Sequence, residues 1–97
     1  MERVSFHRLA HREVSEAGEF YQLESPSLGV AFLDEVEFCT QAILQYPNSG
    51  QLIIGNIRRR LLRRFPYALL YSIKSDHIRI LAVMNLKRRP MYWVGRK

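Results

Sequence analysis

Ninety-seven residues with 47% apolar content and eleven aromatic side chains suffice for one hydrophobic core, and a single domain over residues 1–97 is expected. One cysteine, Cys39, excludes an internal disulfide, and no apolar run approaches the ~20 residues that cross a bilayer, so no membrane partner is expected. A net charge of +6 excludes an acidic solvating chain and points to a polyanionic or acidic partner.

The charge is unevenly placed. Residues 1–56 hold three basic side chains against eight acidic ones, a formal −5, whereas residues 57–97 hold twelve basic ones against Asp76 alone, a formal +11. A partner is therefore sought on the second half. The opening Met1-Glu2-Arg3-Val4-Ser5 has no apolar signal-peptide core, and cytoplasmic residence is the expectation.

Arg3 to Phe6 reads as a short strand with Val4 and Phe6 on one face. From about Leu9 the apolar positions Ala10, Val14, Ala17 and Tyr21 recur every three or four residues, which predicts a helix. Ser25-Pro26 reads as an N-cap followed by proline at the first helical position. The stripe Leu28, Phe32, Val36, Cys39 and Ile43 predicts a second helix, stopped by Pro47-Asn48-Ser49-Gly50. The short link between the two predicts an antiparallel helix hairpin.

After residue 50 the period becomes that of strands. Ile57 to Arg64 reads as a basic strand broken by Phe65-Pro66. Tyr67 to Ile73 alternates, with Tyr67, Leu69, Tyr71 and Ile73 on one face. His77 to Met84 follows a turn at Lys74-Ser75-Asp76, with Ile78, Ile80, Ala82 and Met84 assigned to one face and Leu81 and Val83 to the other. The expected fold is α+β: an N-terminal strand and a helix hairpin packed on one face of an antiparallel sheet, with a short C-terminal segment.

Three blocks of residues then carry a resemblance. The first is Tyr21 with Ser25-Pro26-Ser27-Leu28-Gly29 and Phe32-Leu33. The second runs from Ile57 through Arg58-Arg59-Arg60 and Arg63-Arg64-Phe65-Pro66-Tyr67 to Tyr71. The third runs from Ile80-Leu81-Ala82-Val83 through Arg88 and Pro90 to Tyr92-Trp93. In these blocks the chain resembles the RelE/ParE superfamily of bacterial type II toxins, in its ParE-like branch, often labelled plasmid stabilisation proteins. Asn85 stands where that family usually has histidine. The resemblance implies a toxin that arrests growth, is neutralised by a cognate ParD-like antitoxin, and acts on DNA gyrase. It also implies a RelE-type alternative, ribosome-dependent cleavage of messenger RNA. A third reading is an inactive homologue that only binds antitoxin.

Binding requires no catalytic set, and its candidate contacts are Arg58, Arg60, Arg64, Lys87, Arg88, Arg89, Tyr92 and Trp93. Guanidinium forks suit phosphates and carboxylates alike, and clustered Arg, Tyr and Trp are typical of interface anchors. RNA cleavage requires a base and an acid beside the cations. Asn85 does not titrate, Asp76 and His77 sit at a turn, and Lys87 and Tyr92 require shifted pKa values, so no catalytic residue is assigned. Phe65, Tyr67 and Tyr71 read as core aromatics, and Cys39 as a buried inert thiol. His7 and His11 have the spacing of a zinc pair but no third ligand, and read as a solvated helix face; no metal or cofactor is assigned. The acidic helices offer no recognition helix for DNA, so DNA is expected to be reached only through an antitoxin complex.

Overall fold

A computed structural model describes residues 3–97. Met1 and Glu2, where the stretch read for a leader begins, lie outside it. In chain order the elements are β1 (Val4–Phe6), α1 (Arg8–Glu24), α2 (Pro26–Gln45), a one-turn 3-10 helix (Pro47–Ser49), β2 (Gln51–Ile54), β3 (Ile57–Leu61), β4 (Tyr67–Ile73) and β5 (Ile78–Asn85). The strands form one sheet in the order β1-β5-β4-β3-β2. The architecture is the expected α+β layer, with two differences. β1 joins the sheet as an edge strand parallel to β5, so the sheet is mixed. Gln51–Ile54, which the strand reading passed over, supplies the other edge, antiparallel to β3.

Both helices follow their apolar stripes. Ala10, Ala17, Phe32, Val36, Cys39 and Ile43 are buried against Tyr67, Leu69, Tyr71, Ile78, Ile80 and Val83 of the sheet. The rings of Tyr21, Phe32, Phe65 and Tyr67 cluster here with centroids 4.8–6.3 Å apart. All but the tilted Tyr21–Phe32 pair are edge-to-face, and such pairs contribute about 0.5–1.5 kcal/mol each beyond their buried area. Ser25 and Pro26 hold the expected cap and first-turn positions, and the bend lets the helices close at Gly29, where an added Cβ would lie 2.9 Å from the Gln22 Cβ.

The face assignment along β5 is corrected at Leu81. Leu70 pairs with Ala82 and Tyr71 with Ile80, so Leu81 is an extra residue, a β-bulge. The bulge shifts the alternation by one. Ile78, Ile80 and Val83 face the helices, while Ala82 and Met84 face the other side. There, with Ala68 and Leu70, they form a second small core that Trp93 closes.

Candidate functional site

The basic residues occupy two separate regions. Arg58 and Arg60, on the helix-facing side of β3, are used locally: Arg58 donates to the carbonyls of Asn48 (3.1 Å) and Gly50 (2.8 Å), and Arg60 to the Ser49 hydroxyl. These bonds tie β3 to the 3-10 turn. The same turn is fixed by Tyr71, whose hydroxyl donates to the Pro47 carbonyl (2.6 Å) and accepts from Gly50 N–H (3.1 Å). Burial raises the Tyr71 pKa, which keeps this donor protonated.

The basic strand expected through Arg64 ends at Leu61. Its continuation is pulled into a turn by Glu35, a buried carboxylate on α2. Glu35 accepts from the backbone N–H of Arg63 (2.9 Å) and Arg64 (3.2 Å), and from the Arg63 guanidinium (2.6 and 3.1 Å). Burial alone would raise the Glu35 pKa, but the guanidinium and the two amides outweigh it and hold the carboxyl below its usual value. Arg63 also lies over the Phe38 ring, 3.7 Å from its centroid. Arg64 projects outward from this turn.

β4 separates β3 from β5, so the arginines of β3 and the cations that follow β5 do not form one surface. Instead Arg64 shares one end of the sheet with Lys87, Arg88 and Arg89. Leu86 N–H donates to the Pro66 carbonyl (2.9 Å), which brings the two connections together. All four cations are exposed. Among the described residues, Arg64, Lys87 and Arg89 have no hydrogen-bond or ion-pair partner for their head groups, and Arg88 lies over the Tyr92 ring at 4.1 Å. Asn85, in the histidine place, acts structurally, because its Oδ1 accepts Lys87 N–H (2.9 Å) and starts the turn.

The segment after this turn is anchored. Trp93 is 2% exposed, so it closes the second core and does not present its indole to solvent. The Tyr92 hydroxyl donates to Glu13 of α1 (2.8 Å), and Arg96 pairs with both oxygens of the same carboxylate (3.0 and 3.1 Å). Burial, then the bond to Glu13, pushes the Tyr92 pKa well up, so Tyr92 is a hydrogen-bond donor and not a base at neutral pH. Met91 takes the left-handed backbone region (φ 67°), a strained conformation for a side chain of this kind. Sequence reasoning named Tyr92 and Trp93 but missed Glu13 and Glu35. Both look like ordinary acids on polar helix faces, and their partners lie 70 and 28 residues away.

A cleft of about 250 Å³ beside Asn85 is lined by Glu13, Glu16, Tyr67 and Arg88. Its two carboxylates are engaged, Glu13 with the tail and Glu16 with Arg12 (3.2 Å). Asp76 and His77 hydrogen-bond each other (2.8 Å) at the β4–β5 turn, at the opposite end of the sheet from Arg88. His7 is corrected from a solvated helix face: its Nδ1 accepts Leu9 N–H (3.0 Å) as the N-cap of α1. Cys39 is buried, and burial pushes its thiol pKa up to about 11. Among the described residues no group of three or more His, Cys, Asp or Glu could hold a metal ion, and no helix is long and apolar enough to cross a membrane.

Residues 4–90 match the family described as "ParE toxin of type II toxin-antitoxin system, parDE". The chain belongs to the ParE toxin family. As a ParE toxin it is the toxin component of a type II toxin–antitoxin system. Among solved structures, the ParE fold recurs in the "Chromosomal ParDE TA system from P. aeruginosa", with a TM-score of 0.77 and 18% identity, over 90% of this chain and 98% of that one. No curated protein matches it. The family match ends at Pro90, so the Tyr92, Trp93 and Arg96 anchors of this ParE chain lie beyond it.

Proposed function

We propose that this toxin arrests growth by binding DNA gyrase through the exposed cations Arg64, Lys87, Arg88 and Arg89. Arg58 and Arg60 serve as a second basic region fixed to the 3-10 turn, while Tyr92 and Trp93 hold the C-terminal segment in place. The observation that carries this reading is the convergence of four exposed cations at one end of the sheet, where, among the described residues, the cleft beside them holds no histidine and both its carboxylates are engaged. Cations without a base suit binding better than RNA cleavage. Gyrase is the target that the resemblance to ParE-like toxins implies.

The same surface suits a ParD-like antitoxin whose acidic, partly helical segment crosses residues 57–97 in the cytoplasm and competes with the target. DNA is then contacted through the complex, with the antitoxin as reader.

Purified toxin is expected to inhibit gyrase supercoiling and to leave ribosome-bound mRNA intact; mRNA cleavage with undisturbed supercoiling overturns the assignment. Replacing Arg64, Lys87, Arg88 and Arg89 together by glutamine is expected to weaken inhibition on the order of 100-fold, through slower association and lost charge pairing. Restoring histidine at position 85 tests the inactive-homologue reading. Toxicity gained only in Asn85→His would favour that reading over this one.

A further inference from the structure

The geometry points to Glu13 as a positioning residue that sets the C-terminal segment for target engagement. The inference rests on the target-binding reading above and adds to it a residue from the acidic half of the chain.

The need for such a residue follows from the sheet. β1 has three residues and pairs only with Ile78, Ser5 standing opposite Arg79, and Ile80. Among the described residues no strand lies beside the outer edge of β5 beyond Ile80, although that stretch is buried. Buried backbone groups without partners are costly, so something must take their place. Glu13 accepts Val83 N–H (2.9 Å), and Arg96 donates to the Leu81 carbonyl (3.0 Å), so two side chains complete the edge. The same Glu13 carboxylate holds the Tyr92 hydroxyl and the Arg96 guanidinium, and both members of the ion pair are shielded, with side chains 14% and 12% exposed. One carboxylate therefore joins α1, the β5 bulge and the tail.

This fixes the orientation of the cations. Lys87, Arg88 and Arg89 lie between two anchors, the Asn85 cap on one side and the Glu13 network on the other. Arg88 rests on Tyr92, whose hydroxyl Glu13 holds. The strained backbone at Met91 persists only while the segment is pinned on both sides. Losing Glu13 frees the tail, lets the Arg88 platform move and leaves the binding loop without a fixed shape. Binding then incurs the ordering cost that the latch had removed.

Trp93 is the only tryptophan of the chain and lies under this segment, so it reports tail docking directly. The test uses the full chain as wild type, Glu13→Gln, Arg96→Met and the double variant. Val36→Ala is a control that lowers stability from a site remote from the tail. Acrylamide quenching of Trp93 and inhibition of gyrase are read at a temperature where circular dichroism shows every variant folded. Glu13→Gln is expected to raise quenching severalfold and the half-inhibitory concentration about 10-fold. The double variant should be no worse than Glu13→Gln, because members of one network are not additive. Val36→Ala should change neither. Should Glu13→Gln leave Trp93 shielded, or expose it with inhibition at wild-type strength, the positioning role is overturned. It is likewise overturned if Val36→Ala behaves like Glu13→Gln. A wild-type protein that leaves gyrase active while arresting growth refutes the gyrase target instead; potency in growth arrest then replaces inhibition, with the same outcomes deciding for or against Glu13.

Discussion

Glu35 and His7 show how two ordinary helix positions govern the acid stability of the molecule. The Glu35 carboxyl is held below its usual pKa, so its contribution is present at neutral pH and is lost as the pH falls below the ordinary carboxylate range. The His7 pKa is also lowered, first by burial and then by the nearby Arg96 and Arg79 charges. Protonation removes the lone pair that caps Leu9 N–H. That loss begins as the pH falls through the ordinary histidine value of about 6.5. Both effects have one sign. The urea midpoint is expected to fall in two stages on acidification, the upper belonging to His7 and the lower to Glu35. His7→Asn should abolish the upper stage and keep the cap, since asparagine caps well without titrating. Glu35→Ala should cost about 2 kcal/mol at pH 7, by leaving two amides without an acceptor. A full buried-pair penalty does not apply, because the Arg63 side chain is 60% exposed and stays solvated.

Among the elements, the helix hairpin depends on close approach at Gly29. An added methyl group would lie 2.9 Å from the Gln22 Cβ and 3.1 Å from its Cα, and backbone gives way poorly. Gly29→Ala is expected to destabilise by about 1–3 kcal/mol as an overpacked contact, measured by thermal or urea unfolding. The glycine of the Ser-Pro-x-Leu-Gly block thus has a packing reason. The hairpin was legible because five apolar residues at helical spacing on α2 can bury on only one side. β2 was not legible, since Gln51-Leu52-Ile53-Ile54 is too short to display a period and Leu52 and Ile54 remain exposed on an edge strand. The faces of β5 were misassigned because a bulge leaves no mark in the pattern of apolar residues. Of the proposed binding residues, the cations were legible by composition alone. Their separation into two regions, and the burial of Trp93, are set by strand order and by Glu13 and Glu35, which no local pattern announces.

For the whole molecule, the division into an acidic and a basic half is partly cancelled within the fold. Glu13 and Glu35 each neutralise an arginine of the second half, Arg96 and Arg63, and so the acids that look free in sequence hold the basic segments in place. Four exposed cations remain at the end of the sheet that carries Arg64 and Lys87–Arg89. Target association should therefore depend on ionic strength. Raising salt from about 50 to about 500 mM is expected to slow association with gyrase about 10-fold or more while dissociation changes little, as surface plasmon resonance would measure.

The pairing of β1 with β5 bears on how the protein is made. Val4 lies beside Ile78, and Glu13 reaches Arg96, so β1 and α1 depend on elements synthesised well after them. Until β5 has left the ribosome, α1 lacks the strand that supplies Ile78, Ile80 and Val83 to its side of the core, and contacts this distant in sequence form slowly. A translation product that stops before Ile78 lacks an inner strand, the Val83 amide and the basic loop together. A chain cut before Ile78 is therefore expected to lack toxicity, because the exposed cations after β5 and the strand that carries them are lost together.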